Sequence, residues 1–459
     1  MIDIKKAKVK LLSFAFQGAL VDFPNKEKSN EALNDIHSKQ KGFAPVETEE
    51  YLIAAPSYWS WSRLGYITKN HGQIVPDTDF CYIDVGTLDN VHQRFAEKEN
   101  LVNAKDAPSR ARKIVQFGDV LYSTVRPYLH NICVIDKNFS RTPIASTAFC
   151  VMQANESVLL NKYLFYWLLT PEFDKYSNGD PSKGALYPAI GEKDLLRGVI
   201  PLPSVDEQRL IVEKIEQAFS ILDTIDELQA QYAENLTVLK SKLIDLAIRG
   251  KLTEQLPEDG TAEELYQQIQ DEKQALIKSG KIKKEKPFSE SPVFKPYPFE
   301  IPNSWRFVRF GKLMINRDSE RIPVSVADRR QRKKIYDYYG ASGVIDGIDD
   351  YLFDKDLLLI GEDGANLLAR SSPVAFIASG QYWVNNHAHV LDVCSGTDLK
   401  YVCVYINAIS LEKYVTGSAQ PKMNQENMNA IWVALPPLAE QKRIVDRLDK
   451  LLAVCDEMK

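Results

Sequence analysis

Cysteine is scarce and unpatterned in this chain: Cys81, Cys133, Cys150, Cys394, Cys403 and Cys455 never fall in a CxxC spacing. That excludes a zinc ribbon and a disulfide framework, and it points to a reducing, cytoplasmic setting. No apolar run approaches the roughly 20 residues a membrane span needs, and the amino terminus lacks a signal-peptide pattern, so no membrane partner is expected. Catalytic motifs are missing too. There is no glycine-rich strand-to-helix loop with an Asn/Asp-Pro-Pro-aromatic motif, no Walker loop, and no acidic-x-Lys partner for Pro76-Asp77. Gly361-Glu362-Asp363-Gly364 reads as a turn. His387 and His389 alternate as on a strand and lack the further ligands a metal needs. The net charge of −5 argues against indiscriminate polyanion binding but permits a local basic surface. The chain is expected to be non-catalytic, with no metal and no cofactor of its own.

What is present is a repeat. With 459 residues, 44% of them hydrophobic and 26% charged, the chain is ordinary for a globular protein of about three domains. The stretch Leu202-Pro203-Ser204-Val205-Asp206-Glu207-Gln208 returns as Leu435-Pro436-Pro437-Leu438-Ala439-Glu440-Gln441, and residues 184–226 pair with 417–459 without a gap. The continuation of the second copy lies at the other end of the chain. There Leu11, Ala15, Gly18 and Leu20 match Leu243, Ala247, Gly250 and Leu252. One long element therefore occurs twice, once intact and once split, which predicts a pseudo-twofold molecule.

The repeated element is helical. From Asp206 to Arg249 apolar residues recur at alternating steps of four and three: Ile211, Ile215, Ala218, Leu222, Ile225, Tyr232, Leu236, Leu239, Leu243 and Leu246, with Gln229 as the polar exception. A 3.5-residue period sustained for about five heptads predicts a coiled coil, roughly 65 Å long at 1.5 Å per residue. Pro203, Pro436 and Pro437 act as start signals and Gly250 as a stop. The split copy keeps the seam through Ile444, Leu448, Leu451, Cys455 and Met458, then Ile4, Ala7, Leu11 and Phe14. Glu263–Lys278 predicts a shorter amphipathic helix, followed by a basic linker over Lys281–Lys286, and Glu31–Lys39 is its counterpart near the amino terminus.

Between the rods lie two mixed α and β domains, each opened by a related signature, Pro56-Ser57-Tyr58-Trp59 and Pro302-Asn303-Ser304-Trp305, whose tryptophans are predicted core anchors. Asp119–Ser123 and Asp356–Ile360 are predicted strands. The domains diverge where polar and aromatic residues cluster on predicted loops. In the first, these are Arg110, Arg112, Lys113, Ser123, Thr124, Arg126, Tyr128, Ser177, Asn178, Ser182, Lys183 and Tyr187. In the second, they are Arg329, Arg330, Arg332, Lys333, Lys334, Tyr338, Tyr339, Ser342, Glu362, Asp363, Asn385, Asn386, His387, Ser418, Gln420, Lys422 and Asn424. Arginine suits guanine edges, Asn and Gln suit adenine, acidic groups accept from cytosine, and Lys with Ser or Thr holds phosphates. The clusters are therefore candidate DNA-reading surfaces.

The Leu-Pro-x-x-x-Glu-Gln openings, the Gly-x-x-x-Pro approaches at Gly184–Pro188 and Gly417–Pro421, the helix ending Ala247-Ile248-Arg249-Gly250-Lys251-Leu252 and the permuted duplication together resemble the specificity subunits of type I restriction-modification systems. The resemblance covers essentially the whole chain. It implies an α+β fold, with two α/β target recognition domains, 43–200 and 291–434, separated by long antiparallel coiled-coil helices. The helical regions would be 1–42, 201–290 and 435–459, the first and last forming one distal region. Each recognition domain would read half of a bipartite target in double-stranded DNA, one or two helical turns apart at roughly 34 Å per turn. The helices would dock two modification (methyltransferase) subunits, restriction subunits would join the assembly, and S-adenosylmethionine, ATP and Mg2+ would sit on those partners. Two other readings stand beside this one: a recognition subunit whose partner fuses nuclease and methyltransferase, and a coiled-coil scaffold with no role on DNA.

Overall fold

A computed structural model describes residues 1–24, 31–39, 42–96, 98–179, 189–283, 297–417 and 420–458. They form two compact units, Met1–Ala230 and Gln231–Lys459.

The strands of the first unit are β1 (Ser60–Arg63), β2 (Thr68–Lys69), β3 (Phe80–Ile83), β4 (Leu88–Asp89), β5 (Arg94–Phe95), β6 (Leu101–Val102), β7 (Ala111–Ile114), β8 (Val120–Ser123), β9 (Ile132–Val134), β10 (Pro143–Ser146), β11 (Phe149–Ala154) and β12 (Val199–Leu202). One sheet runs β6-β3-β10-β7, with β3 and β10 parallel; another runs β2-β11-β8-β9, antiparallel throughout. β1 pairs with β12 and β4 with β5. β8 is buried along its whole length, as are most residues of β11, which is why both read as continuous apolar runs and not as alternation.

The second unit contains β13 (Arg306–Arg309), β14 (Met314–Asn316), β15 (Tyr336–Gly340), β16 (Gly343–Ile348), β17 (Phe353–Asp354), β18 (Leu357–Gly361), β19 (Ala375–Ala378), β20 (Gln381–Val384), β21 (Ala388–Val393) and β22 (Trp432–Leu435). Its sheets run β16-β15-β20-β17 and β14-β21-β18-β19, and β13 pairs with β22. This is the topology of the first unit, including the parallel pair, β15 with β20. The repeat seen in the rods thus extends through both domains.

The repeated motifs do the same structural work in each unit. In the first, the buried Glu207 carboxylate accepts from Trp59 Nε1 at 3.1 Å and Tyr58 Oη at 2.9 Å. In the second, Glu440 accepts from Trp305 Nε1 at 2.8 Å and Gln255 Nε2 at 2.8 Å. The neighbouring glutamines are fully buried: Gln208 accepts from Leu160 N and donates to Val158 O and Pro203 O, while Gln441 accepts from Asp398 N and donates to Pro436 O. Gly18 and Gly250 follow, with φ of 74° and 67°; a Cβ there would lie 2.4 Å from Pro56 Cγ or 2.6 Å from Pro302 Cγ. Only glycine tolerates both constraints.

The long helix, Val205–Ile248, is 44 residues and contributes to both units. In the first, Ile211, Val212 and Ile215 enter a core shared with Leu12, Ala15 and Phe16 of the helix Ile4–Phe16. Gln229 clamps Ile2 there, its Oε1 accepting from Ile2 N at 2.6 Å and its Nε2 donating to Ile2 O at 3.1 Å. In the second, Leu236, Ala247 and Ile248 are buried, Lys240 pairs with Asp456, and Tyr232 donates to Met458 O at the end of the helix Leu438–Glu457. The predicted shorter helices are present as Glu31–Lys39 and Ala262–Lys278, the latter closed by a Thr261–Glu264 capping box. Lys284–Lys286 of the basic linker lie outside the described residues.

The predicted seam needs a correction. Of that seam Ile211, Ile215, Leu236, Ile444, Leu448 and Cys455 are buried, but Tyr232, Leu239, Leu246, Phe14 and Met458 are exposed, and the buried line there runs through Ala247 and Ile248 and, at the amino terminus, Leu12, Ala15 and Phe16. A straight helix drifts about 20° per heptad against a strict 3.5-residue repeat, so a seam chosen at one end leaves the contact face before the other.

Candidate functional site

In the first unit, three separate segments meet where β8 and β11 begin and end. Thr124 N donates to Ala148 O at 2.8 Å, Ile190 N donates to Thr124 O at 2.9 Å, and Val125 bridges Ala189. The same junction exists in the second unit beside β18 and β21. Glu362 N donates to His387 O at 2.8 Å, Met423 N donates to Glu362 O at 2.8 Å, and Asp363 bridges Lys422. Backbone geometry is held constant, while the side chains go from Thr124, Ala148 and Ala189 to Glu362, His387 and Lys422. Only the second junction is heavily charged.

Around the first junction Arg126 and Tyr128 are exposed, and Arg126 sits in the left-handed region at φ 52°, three residues beyond Ser123. Gly364, at φ 109°, holds the matching position three residues beyond Gly361. A left-handed arginine carries a backbone cost of order 1–3 kcal/mol, the kind of strain concentrated at functional sites. Arg110 is exposed and its carbonyl accepts from Thr147 N, placing it at the same edge. Arg112 folds back on Ala111 O. Burial removes three candidates from the solvent-facing set, Lys113, Ser123 and Ser177: Lys113 pairs with Glu192 at 2.6 Å, and Ser123 donates to Val125 O. Asn178 binds the Asp174 side chain. Ser182, Lys183 and Tyr187, with the Gly184–Pro188 approach, lie outside the described residues.

At the second junction the turn after β18, the residues before β21 and the segment 420–424 converge. His387 Nδ1 lies 2.8 Å from Asp363 Oδ2, and Lys422 Nζ lies 3.2 Å from Glu362 Oε1. Asn385 is buried and accepts from His387 N, so it shapes the turn instead of facing solvent. Asn386, Gln420 and Asn424 are exposed, and Asn424 also caps a short helix by accepting from Asn427 N. The hairpin of β15 and β16 brings Ser342 close: Asn385 N donates to Tyr339 O, and Ala341 O packs against Gly361. Ser418 lies outside the described residues.

The basic run preceding β15 behaves differently from the expectation of a single cluster. Arg332 pairs with Asp349, Arg329 with Asp346 at 2.9 Å and Lys334 with Asp346 at 2.8 Å, while Lys333 and Arg330 are exposed. Tyr338 is buried beneath Arg329, its hydroxyl bonded to Val324. Acidic neighbours from β16 and its following turn neutralise this run, so much of its charge is internal.

Arg321 and Asp318, which no sequence pattern singles out, complete the second junction. Arg321 reaches Glu362 Oε2 at 3.0 Å and Ala388 O at 2.6 Å. Burial opposes ionisation of Glu362, but His389, Arg321 and Lys422 outweigh it and hold its carboxyl below the usual range. The repeat offset that pairs 184 with 417 also pairs Ala189 with Lys422, so that part of the divergence carries a sequence signal. Among the described residues, no group of three or more His, Cys, Asp or Glu could hold a metal ion, and no helix is long and apolar enough to cross a membrane.

Residues 302–459 match a family model described as the type I restriction modification DNA specificity domain. The chain is similar over its whole length to the Type I restriction enzyme EcoEI specificity subunit of Escherichia coli, 24% identical and covering 91% of that protein. It is likewise similar to the EcoAI specificity subunit of Escherichia coli, 22% identical with 90% covered. Among solved structures, an HsdS subunit from Thermoanaerobacter tengcongensis has the same fold, with a TM-score of 0.57 at 21% identity, over 88% of this chain and 92% of that one. A chain from a study of complex assembly and conformational transition of the type I R-M system gives a TM-score of 0.60 at 22% identity, over 87% of this chain and 92% of that one.

Proposed function

The chain belongs to the type I restriction-modification specificity subunits, and from that premise we infer that its two units each read one half of a bipartite DNA target. The carrying observation is a repeated frame with unrepeated tips: identical backbone bonds at both junctions present Thr124, Ala148 and Ala189 in one unit and Glu362, His387 and Lys422 in the other. Equal frames with unlike tips suit unlike half-sites. The exposed readers are Arg110, Arg126 and Tyr128 in domain 43–200, and Asn386, His387, Gln420, Lys422 and Asn424 in domain 291–434. Base-edge contacts supply specificity, and phosphate contacts supply salt-dependent affinity. Catalysis, with S-adenosylmethionine, ATP and Mg2+, falls to partner subunits.

The helical regions 1–42, 201–290 and 435–459 dock those partners. Leu210, Ile221, Leu228, Tyr232, Leu239 and Leu246 are exposed on the long helix and fall within an arc of roughly 40° at 100° per residue. The repeat supplies a second copy of part of that stripe: Ile221 and Val454 are 61% and 53% exposed, and Leu246 and Phe14 are 37% and 43% exposed. A docking surface present twice suits two copies of one modification subunit, with restriction subunits joining the assembly.

The test is the methylation pattern set by this chain with its modification partner, read by long-read detection of modified bases. A bipartite, asymmetric motif is expected, and Arg126→Ala should relax one half only. An uninterrupted palindrome, or equal relaxation of both halves, contradicts the assignment.

A further inference from the structure

We propose that His389, buried beneath the reading surface of the second unit, is a positioning residue that fixes the segment carrying Gln420, Lys422 and Asn424, and that it does so only as an imidazolium. The inference rests on the DNA-reading role given above. Both ring nitrogens face acceptors: Nδ1 is 2.7 Å from Asp318 Oδ2, and Nε2 is 2.9 Å from Met423 O. A neutral imidazole has one N–H and would leave one of these contacts lone pair against lone pair; the cation donates to both. The side chain is 2% exposed, so water cannot substitute for a missing donor.

The two carboxylates packed on the ring fit this state, and the Arg321 cation beside them opposes it. Asp318, beyond β14, accepts from His389 and from Val390 N at 2.8 Å, with Arg321 at 3.6 Å. Glu362, beyond β18, lies 3.9 Å from Nδ1 and holds Lys422 on its other oxygen. The ring therefore grips the 420–424 segment directly, through Met423 O, and indirectly, through Glu362 and Lys422. Burial opposes the charge, yet the Asp318 carboxylate, with the Met423 carbonyl and Glu362, keeps the imidazole above its ordinary value. In the first unit the matching strand position, one residue into β11, is Cys150, buried and with its thiol pushed up by desolvation, so it is neutral. No imidazole stands at that position in the first unit.

The sign follows from the raised value. The grip is complete below the ordinary histidine range, near pH 6.5, and is lost as pH rises through the folded-state value. The experiment uses the full chain assembled with its modification partner and measures, by competition, the affinity for target duplexes and for duplexes altered in one half, from about pH 6.5 to about pH 9.5. In the wild type, discrimination at the half read by the second unit should fall about tenfold across that range, a change of about 1.4 kcal/mol, while the other half changes less than about twofold. His389→Gln and His389→Cys should show weak discrimination at the second half with no pH slope. Retention by either variant of both full discrimination and the wild-type slope overturns the proposal, as does an equal slope at both halves. Carbon-13 histidine resonances of the wild-type chain, assigned from single variants, decide the ring's state without DNA. Titration at or below the ordinary value overturns the proposal. Absence of sequence preference at every pH would sink the DNA-reading role instead, leaving the resonance measurement to judge His389.

Discussion

Gln208 and Gln441 show how a motif residue is chosen by what it satisfies. Each is fully buried at the start of a helix, and each spends its amide on backbone groups that no secondary structure pairs: Leu160 N and Val158 O in one unit, Asp398 N and Pro436 O in the other. Leucine has nearly the same volume but leaves an N–H and a carbonyl unpaired. Gln208→Leu and Gln441→Leu are each expected to cost about 2–4 kcal/mol, read from the urea midpoint of the full chain. A loss under about 0.5 kcal/mol would mean those backbone groups find other partners. The pairing glutamates act alike, anchoring Trp59 and Trp305 where the sequence already placed core tryptophans.

At the scale of elements, the long helix separates two uses of one apolar period. Residues near Ile211 and Ala247 are consumed in the cores of the units, while Ile221, Leu228, Tyr232, Leu239 and Leu246 stay exposed. Placing a charge on the exposed line should therefore leave folding intact and weaken assembly. Ile221→Asp and Val454→Asp, taken singly, are expected to reduce bound modification subunits from two to one, and the double variant to none, with helicity unchanged by circular dichroism; analytical ultracentrifugation gives the stoichiometry. Full assembly by the double variant would remove this face from the docking surface. The helix was legible because burial on a rod repeats every few residues; the division between core and exposed line was not, because drift accumulates along it.

At the scale of the molecule, the two units repeat strand order, the parallel pair and the glutamate–tryptophan anchors, so their recognition domains have equivalent junctions with the helices. Replacing residues 291–434 by a copy of 43–200 is expected to yield a folded chain whose methylated motif carries the same half-sequence on both sides of the spacer. A motif that keeps its original second half would contradict one reading domain per half.

Sequence alone determined the duplication, the rods, the mixed α and β class and the family, because these rest on local periodicity and on short motifs whose partners lie at fixed offsets. It placed Arg126, His387 and Lys422 among the candidates but could not tell them from Lys113, Ser123, Tyr338 and Asn385, which burial and internal partners turn inward, or from Glu362, which is held by Arg321 and Lys422. Only the tertiary structure decided that, and only it brought His389, Asp318 and Arg321 beneath Lys422. The reason is physical: these contacts join segments dozens of residues apart, and which face of a strand or loop meets solvent depends on what distant chain covers the other.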